Sequence, residues 1–211
     1  RSISEVHPNS VITRVDRVDW DNKNVITKED TYSYDHLVLA TGAKAVQPVP
    51  GVKTYAHNFY TLQDALDIRD KLPAERIVVV GGGPTGVELA MELAQHGDVT
   101  LVHAEDAIVP YFPRQVRMYA EKRLSQAGVR IVTNERVQRI TAKHVVTSSN
   151  YPYDLCVWTA GVKADLLPGV PAEHGFLVNQ YLQVNGHDKV FACGDCAQTG
   201  APLTAQAALQ E

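Results

Sequence analysis

A glycine pattern in the middle of the chain constrains the fold more than any other feature. Gly81, Gly83 and Gly86 have the spacing GxGxxG. They follow Arg76–Val80, an apolar run typical of a short strand, and precede a helix-like segment that ends near His96. In that context the first glycine permits a tight turn, the second lets a pyrophosphate approach the backbone, and the third lets helix and strand pack closely. The pattern therefore predicts a strand–turn–helix unit that binds phosphate.

The residue after the second glycine supports this interpretation. Pro84 is expected at the first position of the helix, where a missing N–H costs no hydrogen bond. The remaining backbone N–H groups and the helix dipole favour an anion. We therefore expect the whole turn to contact a dinucleotide, which includes Gly81, Gly82, Gly83, Pro84, Thr85 and Gly86.

The segments after the turn alternate between strand and helix patterns. Val99–Val102 and Val129–Val132 are typical of strands, and Pro113–Ala127 between them is typical of a helix. Glu135–Ser148 has short alternating runs that favour an antiparallel meander, and Leu155–Thr159 is a final strand. This order predicts a parallel sheet with helices on its faces.

Regular elements are also expected on both sides of this region. Thr61 and Asp64 have the spacing of a helix N-cap. The other predicted elements are the strands Val11–Trp20, Asn24–Lys28, Tyr34–Ala40, Leu177–Val184 and Val190–Ala192 and the helices Leu62–Lys71 and Thr204–Glu211.

The bulk properties exclude several classes of protein. The chain has 211 residues, which is long for one small domain and short for two full dinucleotide-binding domains. A formal net charge of -4 without a basic stripe argues against a nucleic-acid partner. Three cysteines cannot close a disulfide framework, and no apolar run reaches the roughly 18 residues of a membrane span. Because the chain starts at Arg1 and ends at Glu211 within a helix-like pattern, we expect a fragment of a longer cytosolic protein.

The end of the second strand is the position where an acidic residue normally holds the ribose 2′-hydroxyl group of NAD. His103 stands at that position, and Glu105 follows two residues later. The nearest arginine is Arg114, so the sequence offers no adjacent cation for the 2′-phosphate of NADP. These residues favour NADH weakly, with Glu105 as a substitute acid, although His103 could be an ordinary strand-end residue.

Two further segments resemble one group of flavoproteins. Tyr34–Gly42, YDHLVLATG, is similar to the strand and ATG turn of reductases that have two dinucleotide-binding domains. Val190–Asp195, VFACGD, is similar to their second FAD motif. The order of the ATG, GxGxxG and Gly-Asp turns matches these proteins along nearly the whole chain. The sequence therefore resembles the pyridine nucleotide-disulfide oxidoreductase superfamily.

Two shorter segments narrow the resemblance. Trp158–Val162, WTAGV, looks like the segment that returns from the nicotinamide domain in type II NADH dehydrogenases. Ala205–Glu211, AQAALQE, looks like their quinone-site helix with the pattern AQxAxQ. The narrower resemblance is therefore to type II NADH:quinone oxidoreductases.

The resemblance implies an α/β fold in which a Rossmann-like NAD(P)-binding domain is inserted in an FAD-binding domain. The expected NAD(P)H-binding domain comprises residues 73–161, and residues 1–72 and 162–211 are the two incomplete parts of the FAD-binding domain. The family's N-terminal GxGxxG and its C-terminal membrane helices have no counterpart in this sequence. The fragment alone is therefore expected to bind FAD poorly and to be inactive.

FAD and NADH are the cofactors that the resemblance implies. Asp195, beside Gly194, would bond the ribityl chain of FAD, although an ordinary helix N-cap is the alternative. The implied cofactor-contacting residues outside the glycine turn and the strand end are Ala40, Thr41, Gly42, Glu88, Gly161, Gly194, Asp195, Ala205 and Gln206.

Three of the residues are candidates for the catalytic set. The resemblance places Glu88 near the nicotinamide, in the first turn of the glycine-turn helix, where the helix dipole alone could also explain a carboxylate. Gln206 and Gln210 would approach a quinone, and a solvated helix face is the alternative for both.

The cysteines and the other histidines carry no further site. Cys193 and Cys196 form a CxxC pattern, but they straddle the Gly-Asp turn, so we do not interpret them as a redox pair. Cys156, in an apolar strand, is expected in the core. The histidines lack metal-ligand spacing, and no metal is assigned.

These expectations combine into a flavin-dependent enzyme. It would transfer a hydride from NADH to FAD and then electrons to a quinone, at the inner face of the cell membrane and within a respiratory chain. A homodimer is compatible with this hypothesis. The alternatives are a soluble reductase of the same fold with a disulfide, oxygen, peroxide or ferredoxin acceptor, and a redox-signalling protein that binds flavin or NAD.

Overall fold

The computed structural model describes residues 9–168, 172–200 and 208. The chain divides into two compact units: a central unit, Ala45–Val162, and a flanking unit made of Arg1–Lys44 and Lys163–Glu211. The first boundary between the two units therefore lies between residues 44 and 45, whereas the sequence predicts a domain boundary between residues 72 and 73. Residues 45–72 belong to the central unit because one of their strands joins its sheet and two of their helices bury side chains in its cores.

Residues 9–45 form five short strands, β1 Val15–Asp19, β2 Asn24–Thr27, β3 Thr31–Ser33, β4 Leu37–Leu39 and β5 Ala43–Ala45. Strands β1, β2 and β3 pair as an antiparallel sheet. The predicted first strand begins later than expected, at Val15. Val11 and Ile12 are 59% and 78% exposed, so they lack the packing that would extend the strand.

From Arg76 onward the central unit carries the alternating elements that the sequence predicts, whereas the helix Val52–Tyr55 and the strand His57–Asn58 were not predicted. Its helices are α1 Val52–Tyr55, α2 Leu62–Arg69, α3 Pro84–Leu93 and α4 Arg114–Gln126. Its strands are β6 His57–Asn58, β7 Arg76–Val80, β8 Asp98–Val102, β9 Arg130–Val132, β10 Arg139–Ile140, β11 His144–Val146, β12 Asn150–Pro152 and β13 Leu155–Trp158. The predicted meander is present as β10–β12, although it extends beyond the expected end at Ser148.

A five-stranded parallel sheet forms the middle layer of the central unit, with the order β6-β13-β7-β8-β9. Because its strands are parallel, their carboxyl ends lie at one edge, where open α/β sheets bind ligands. The prediction of a parallel sheet is confirmed, and it brings the glycine turn, His103 and Thr159 to this edge.

The two faces of this sheet are covered differently. Alternate side chains of a strand point to opposite faces. Ile77 and Val79 therefore join the core that includes residues of α2, α3 and α4, whereas Val78 and Val80 join the core that includes the meander. The sequence predicts helices on both faces, but on the meander's side the central unit has only the four-residue helix α1.

Local sequence signals account for the start of α2. The Thr61 hydroxyl accepts the Asp64 N–H, and the Asp64 carboxylate accepts the Thr61 N–H at 2.7 Å. This capping box satisfies two of the backbone donors that a helix start leaves without partners. The predicted N-cap is confirmed.

Cys156 lies in β13 and is buried, as predicted. Burial raises the pKa of its thiol to about 12. Because the thiolate is the reactive form of cysteine, this side chain is a packing residue at neutral pH.

In the rest of the flanking unit, the described residues form four more strands and a 3-10 helix at Gly194–Cys196. The strands are β14 Val162–Ala164, β15 Phe176–Leu177, β16 Val190–Ala192 and β17 Ala197–Gln198. Strand β5 pairs with β14, β15 pairs with β17, and β4 pairs with β16. Because residues 1–72 and 162–211 are expected to form one FAD-binding domain, their strands are expected to meet in one sheet. They do meet in the pair β4–β16, but the described residues distribute the strands over several small sheets.

Two predicted strands of the flanking unit differ from the structure. Tyr34–Ala40 is expected to be a buried strand, but β4 is shorter and its Val38 is 61% exposed, whereas Leu39 is buried. Leu177–Val184 is expected to be one strand, but it turns back on itself. The Asn179 side chain accepts the N–H groups of Tyr181 and Gln183, and this local turn competes with an extended chain.

Within the described part of the chain, no helix has the length and apolar character needed to span a membrane.

Candidate functional site

The glycine turn at the carboxyl end of β7 is tightly packed at two of its glycines. Gly81 has a φ of 116°, which L side chains rarely adopt, and its N–H donates to the Val102 carbonyl at 2.9 Å. A Cβ atom on Gly86 would lie 1.8 Å from the Gly81 carbonyl oxygen. The tight turn and the close packing that the sequence predicts for these two residues are therefore both present.

Gly83 differs from the other glycines of the turn. It has an ordinary extended backbone, with φ -74° and ψ 179°, and an added Cβ would meet no atom within 4 Å. Neither the backbone conformation nor the packing of the described residues requires glycine here. The remaining reason for a glycine at this position is the open space in front of the turn, which a pyrophosphate could enter.

Backbone donors surround this space. Gly83 is the N-cap of α3 and makes no side-chain cap, and Pro84 has no N–H to offer. The next two N–H groups, of Thr85 and Gly86, make no hydrogen bond to any residue that the structure describes. Two adjacent donors at a helix N-terminus are suited to an anion.

His103 follows the end of β8 and contacts the turn. Its Nδ1 accepts the Gly82 N–H at 3.0 Å. Burial lowers the pKa of the imidazole below 6.5, although the Glu105 and Asp106 carboxylates and the Ala107 backbone act in the opposite direction. The predicted ribose-contacting residue thus lies at the carboxyl edge of the sheet, but its Nδ1 already accepts a hydrogen bond from the turn.

The two predicted carboxylates lie at the surface. Glu105 is exposed, and its backbone carbonyl accepts the Asn134 N–H at 2.8 Å. Glu88 is also exposed. It is expected in the first turn of α3, but it lies beyond that turn. The helix begins at Pro84, so Glu88 is its fifth residue. Since the effect of the helix dipole falls off within the first turn, the dipole stabilises a carboxylate at this position less than expected.

Thr159 is a residue of this edge that sequence reasoning missed. It follows β13, and its hydroxyl contacts the carbonyls of Val80 and Gly81, donating at 3.0 and 3.1 Å. Its N–H also donates to Val80. The sequence contains a signal that could have identified Thr159, because it is a polar residue directly after an apolar strand of the parallel sheet.

A second pair of turns lies in the flanking unit. Strands β4 and β16 are parallel, with Leu39 opposite Ala192, and the Cys193 N–H donates to the Leu39 carbonyl at 3.1 Å. The Thr41-Gly42 and Gly194-Asp195 turns therefore follow the same edge of this pair. This juxtaposition is expected for two turns that contact the same cofactor.

The geometry of these turns is suited to a close ligand. Gly42 and Gly194 have φ values of 66° and 71°. A Cβ on Gly42 would meet nothing within 4 Å, and one on Gly194 would come no nearer than 3.6 Å, to Ala208. The Asp195 carboxylate makes no hydrogen bond or ion pair with the part of the chain that the structure describes, which leaves it available to a ligand's hydroxyl groups.

Asp165 holds the segment after the ATG turn in place. Its N–H donates to the Gly42 carbonyl at 2.9 Å, its carbonyl accepts the Thr41 hydroxyl, and its carboxylate pairs with Lys44. Ala40 is exposed. The position of Asp165 on this turn was not predicted, since it is far from the turn in sequence.

The remaining predicted residues have different outcomes. Gly161, exposed and with φ 90°, accepts the Val46 N–H through its carbonyl at 3.1 Å, so its conformation is explained by a turn. Ala205, Gln206 and Gln210 lie outside the described residues.

Comparison with known proteins decides the family. The family model described as pyridine nucleotide-disulphide oxidoreductase matches residues 4–211. The chain belongs to this family. The expected family and the expected α/β fold with a Rossmann-type sheet are both confirmed.

Individual relatives agree with this assignment. The demethylphylloquinone reductase NdbB of Synechocystis sp. is 32% identical over 231 residues, which cover 93% of this chain and 57% of that protein. A probable mitochondrial NADH-ubiquinone oxidoreductase of Schizosaccharomyces pombe is 31% identical over 235 residues, covering 87% and 43%. The crystal structure of a ferredoxin reductase from Rhodopseudomonas palustris has a TM-score of 0.85 and 26% identity, covering 93% and 54%. The chain thus spans about half the length of these relatives.

Proposed function

We propose that the full-length protein is an FAD-dependent oxidoreductase that takes a hydride from NADH and passes electrons to a quinone. The observation that carries the NADH half of the proposal is the glycine turn, where Gly83 leaves space in front of two backbone donors. The quinone half is supported by the relatives, one a demethylphylloquinone reductase and the other an NADH-ubiquinone oxidoreductase.

The residues of the central unit would bind and orient NADH. Gly83 admits the pyrophosphate, and the N–H groups of Thr85 and Gly86 donate to its oxygens. Glu88, exposed on the next turn of the helix, is the residue that we place near the nicotinamide. The chain supplies position and electrostatics, since no nucleophile is needed for hydride transfer.

The residues of the flanking unit fit an FAD site. Gly42 and Gly194 allow a close approach of the cofactor, and the Asp195 carboxylate would accept hydrogen bonds from the ribityl hydroxyl groups. When bound, FAD supplies the redox chemistry, since it can accept a hydride and release electrons singly or in pairs.

The setting of the reaction is part of the same proposal. A quinone acceptor places the full-length protein at the surface of the cell membrane that faces the cytoplasm, as a peripheral enzyme of a respiratory chain. In this proposal, membrane attachment comes from segments of the full-length protein outside this chain. A homodimer is compatible with this arrangement.

A reductase with a protein acceptor is the second candidate, because a ferredoxin reductase of known structure shares the fold with a TM-score of 0.85. The full-length protein should be mixed with NADH and then with a short-chain quinone or a ferredoxin. Rapid turnover with the quinone supports the first proposal, turnover with the ferredoxin supports the second, and turnover with neither favours a redox sensor.

Gln206→Ala and Gln210→Ala are expected to slow quinone reduction in the full-length protein and to leave flavin reduction by NADH nearly unchanged. Loss of a buried hydrogen bond to a quinone carbonyl costs about 1–3 kcal/mol, or roughly 5–150-fold in rate. Stopped-flow absorbance separates the two half-reactions. Gln63→Ala, an exposed position on α2, is the control. Parental quinone reduction in both variants would remove the assignment of these two residues to the quinone.

The full-length protein is expected to prefer NADH over NADPH by a small factor, below about tenfold. No arginine lies next to His103 in sequence, and the exposed Glu105 carboxylate disfavours a 2′-phosphate. Steady-state kcat/KM values for the two dinucleotides measure the preference. A preference of about tenfold or more for NADPH contradicts our assignment of the strand end.

A further inference from the structure

The imidazole of His103 and the glycine turn are interlocked. The Gly82 N–H donates to Nδ1 of His103 at 3.0 Å, and a Cβ atom on Gly82 would lie 2.7 Å from the His103 Cγ. The ring thus occupies the space of a side chain at position 82. Because Gly82 lies between Gly81 and Gly83, the ring supports the middle of the turn that we assign to the pyrophosphate.

The backbone of His103 is held by hydrogen bonds to the chain at and after the end of β9, on the side of β8 away from β7. Its N–H donates to the Val132 carbonyl at 2.8 Å, and its carbonyl accepts the Glu135 N–H at 2.9 Å. These bonds tie the end of β8 to the end of β9. The Cα atom of His103 therefore stays in place if the hydrogen bond to Gly82 is lost, and only rotation of the side chain can move the ring away from the turn.

The hydrogen bond requires a neutral ring. Nδ1 can accept only when it carries no proton, so the proton of the neutral imidazole is on Nε2. Nε2 is buried and has no hydrogen bond of normal geometry to any residue that the structure describes, although the Ala107 backbone lies near enough to favour a proton.

Charged groups around the ring act against its neutrality, but burial outweighs them. Glu105 and Asp106, on the segment after β8, favour the imidazolium, and desolvation favours the neutral form more strongly. The Glu135 carboxylate, after β9, is occupied by the Ser148 hydroxyl and N–H. The pKa of His103 therefore stays below 6.5.

We propose that His103 is a positioning residue for the dinucleotide: its neutral ring holds the Gly82 amide and so keeps the turn in the shape that admits a pyrophosphate. Protonation of Nδ1 places two N–H groups against each other and releases the turn. This inference rests on the proposed NADH site, and it assigns His103 a role through Gly82 in place of direct contact with the ribose.

The direction of the pH dependence separates this role from a simple electrostatic one. An imidazolium beside a pyrophosphate would attract it, so binding would strengthen as the pH falls. A positioning role gives the opposite sign, because the protonated ring loses its acceptor. The NAD⁺ affinity should then be full above pH 6.5 and should fall below the folded-state pKa of His103.

The test is a calorimetric titration of the full-length oxidised protein with NAD⁺, which binds without reducing the flavin, between about pH 7.5 and about pH 5. In the parent we expect the Kd to rise about tenfold for each pH unit below the pKa of His103. In His103→Asn the side-chain oxygen is, like Nδ1, two bonds from Cβ. We expect its Kd at pH 7.5 within about threefold of the parental value and independent of pH.

Two further variants complete the design. His103→Phe keeps a ring but has no acceptor, and its Kd should be about tenfold higher at every pH. His96→Asn, an exposed histidine after α3, should keep the parental pH profile. If His103→Phe fails to fold, the pH profiles of the parent and of His103→Asn still decide the question.

The outcomes that overturn the inference are distinct from those that overturn the proposed function. A parental affinity that is constant or rises as the pH falls excludes the positioning role, as does a His103→Asn profile equal to the parental one. In both cases the NADH site survives. Absence of NAD⁺ binding by the parent at every pH overturns both proposals together.

Discussion

Gly83→Val is expected to abolish NADH binding while the protein keeps its fold. The backbone of Gly83 is in a region that valine adopts, and an added Cβ meets no atom within 4 Å. The side chain would instead fill the space that we assign to the pyrophosphate, so the Kd for NAD⁺ should rise at least about 100-fold. Calorimetric titration of the full-length protein measures the loss, and its melting temperature should change by less than about 3 °C.

A graded series makes this result specific. Gly83→Ala adds only one methyl group and should weaken NAD⁺ binding less than Gly83→Val does. Glu92→Val, an exposed position on α3, tests for a general effect of valine in this helix and should leave the affinity at its parental value. Normal NAD⁺ affinity in Gly83→Val would show that the dinucleotide does not approach the backbone at this position.

Gly86→Ala is expected to destabilise the fold strongly, although it is the smallest possible change. Its Cβ would lie 1.8 Å from the Gly81 carbonyl oxygen and 2.6 Å from the Thr159 hydroxyl. Because the first of these atoms belongs to the backbone, α3 and β7 must move apart. The cost is about 3 kcal/mol, which lowers the melting temperature by roughly 6–12 °C for a chain of this size.

The same substitution three residues earlier is the matched control for stability. Gly83→Ala places its methyl group in open space, so the free energy of unfolding should stay within about 0.5 kcal/mol of the parental value. Thermal unfolding followed by circular dichroism compares the two variants. Equal melting temperatures for Gly83→Ala and Gly86→Ala would show that the helix and the strand are not as closely packed as described.

The elements around the glycine turn could be predicted because their signals are local. Strand β7 has the predicted bounds, and the capping box of α2 involves residues only three positions apart. A turn that needs a positive φ, as at Gly81, restricts the residue type at one position. Such constraints act over a few neighbouring residues, so the sequence displays them directly.

The partner of His103 could not be predicted in this way. The sequence places the histidine at the strand end that faces a ribose in related sites, and the structure keeps it there. Its Nδ1, however, accepts the amide of Gly82, which is 21 residues away along the chain. That contact exists only because β7 and β8 pair side by side, with Val80 opposite Val102.

By itself, the sequence determined the alternation of strands and helices from Arg76 onward, the positions of the three glycine-containing turns and the family to which the chain belongs. Only the tertiary structure decided that residues 45–72 belong to the central unit, that Gly83 alone in its turn is unconstrained by packing or backbone, and that Asp165 holds the ATG turn. The physical reason is the range of the interactions. Backbone conformation, capping and hydrophobic periodicity act between near neighbours, whereas strand pairing and packing join residues that are far apart in the chain and whose partners no local pattern specifies.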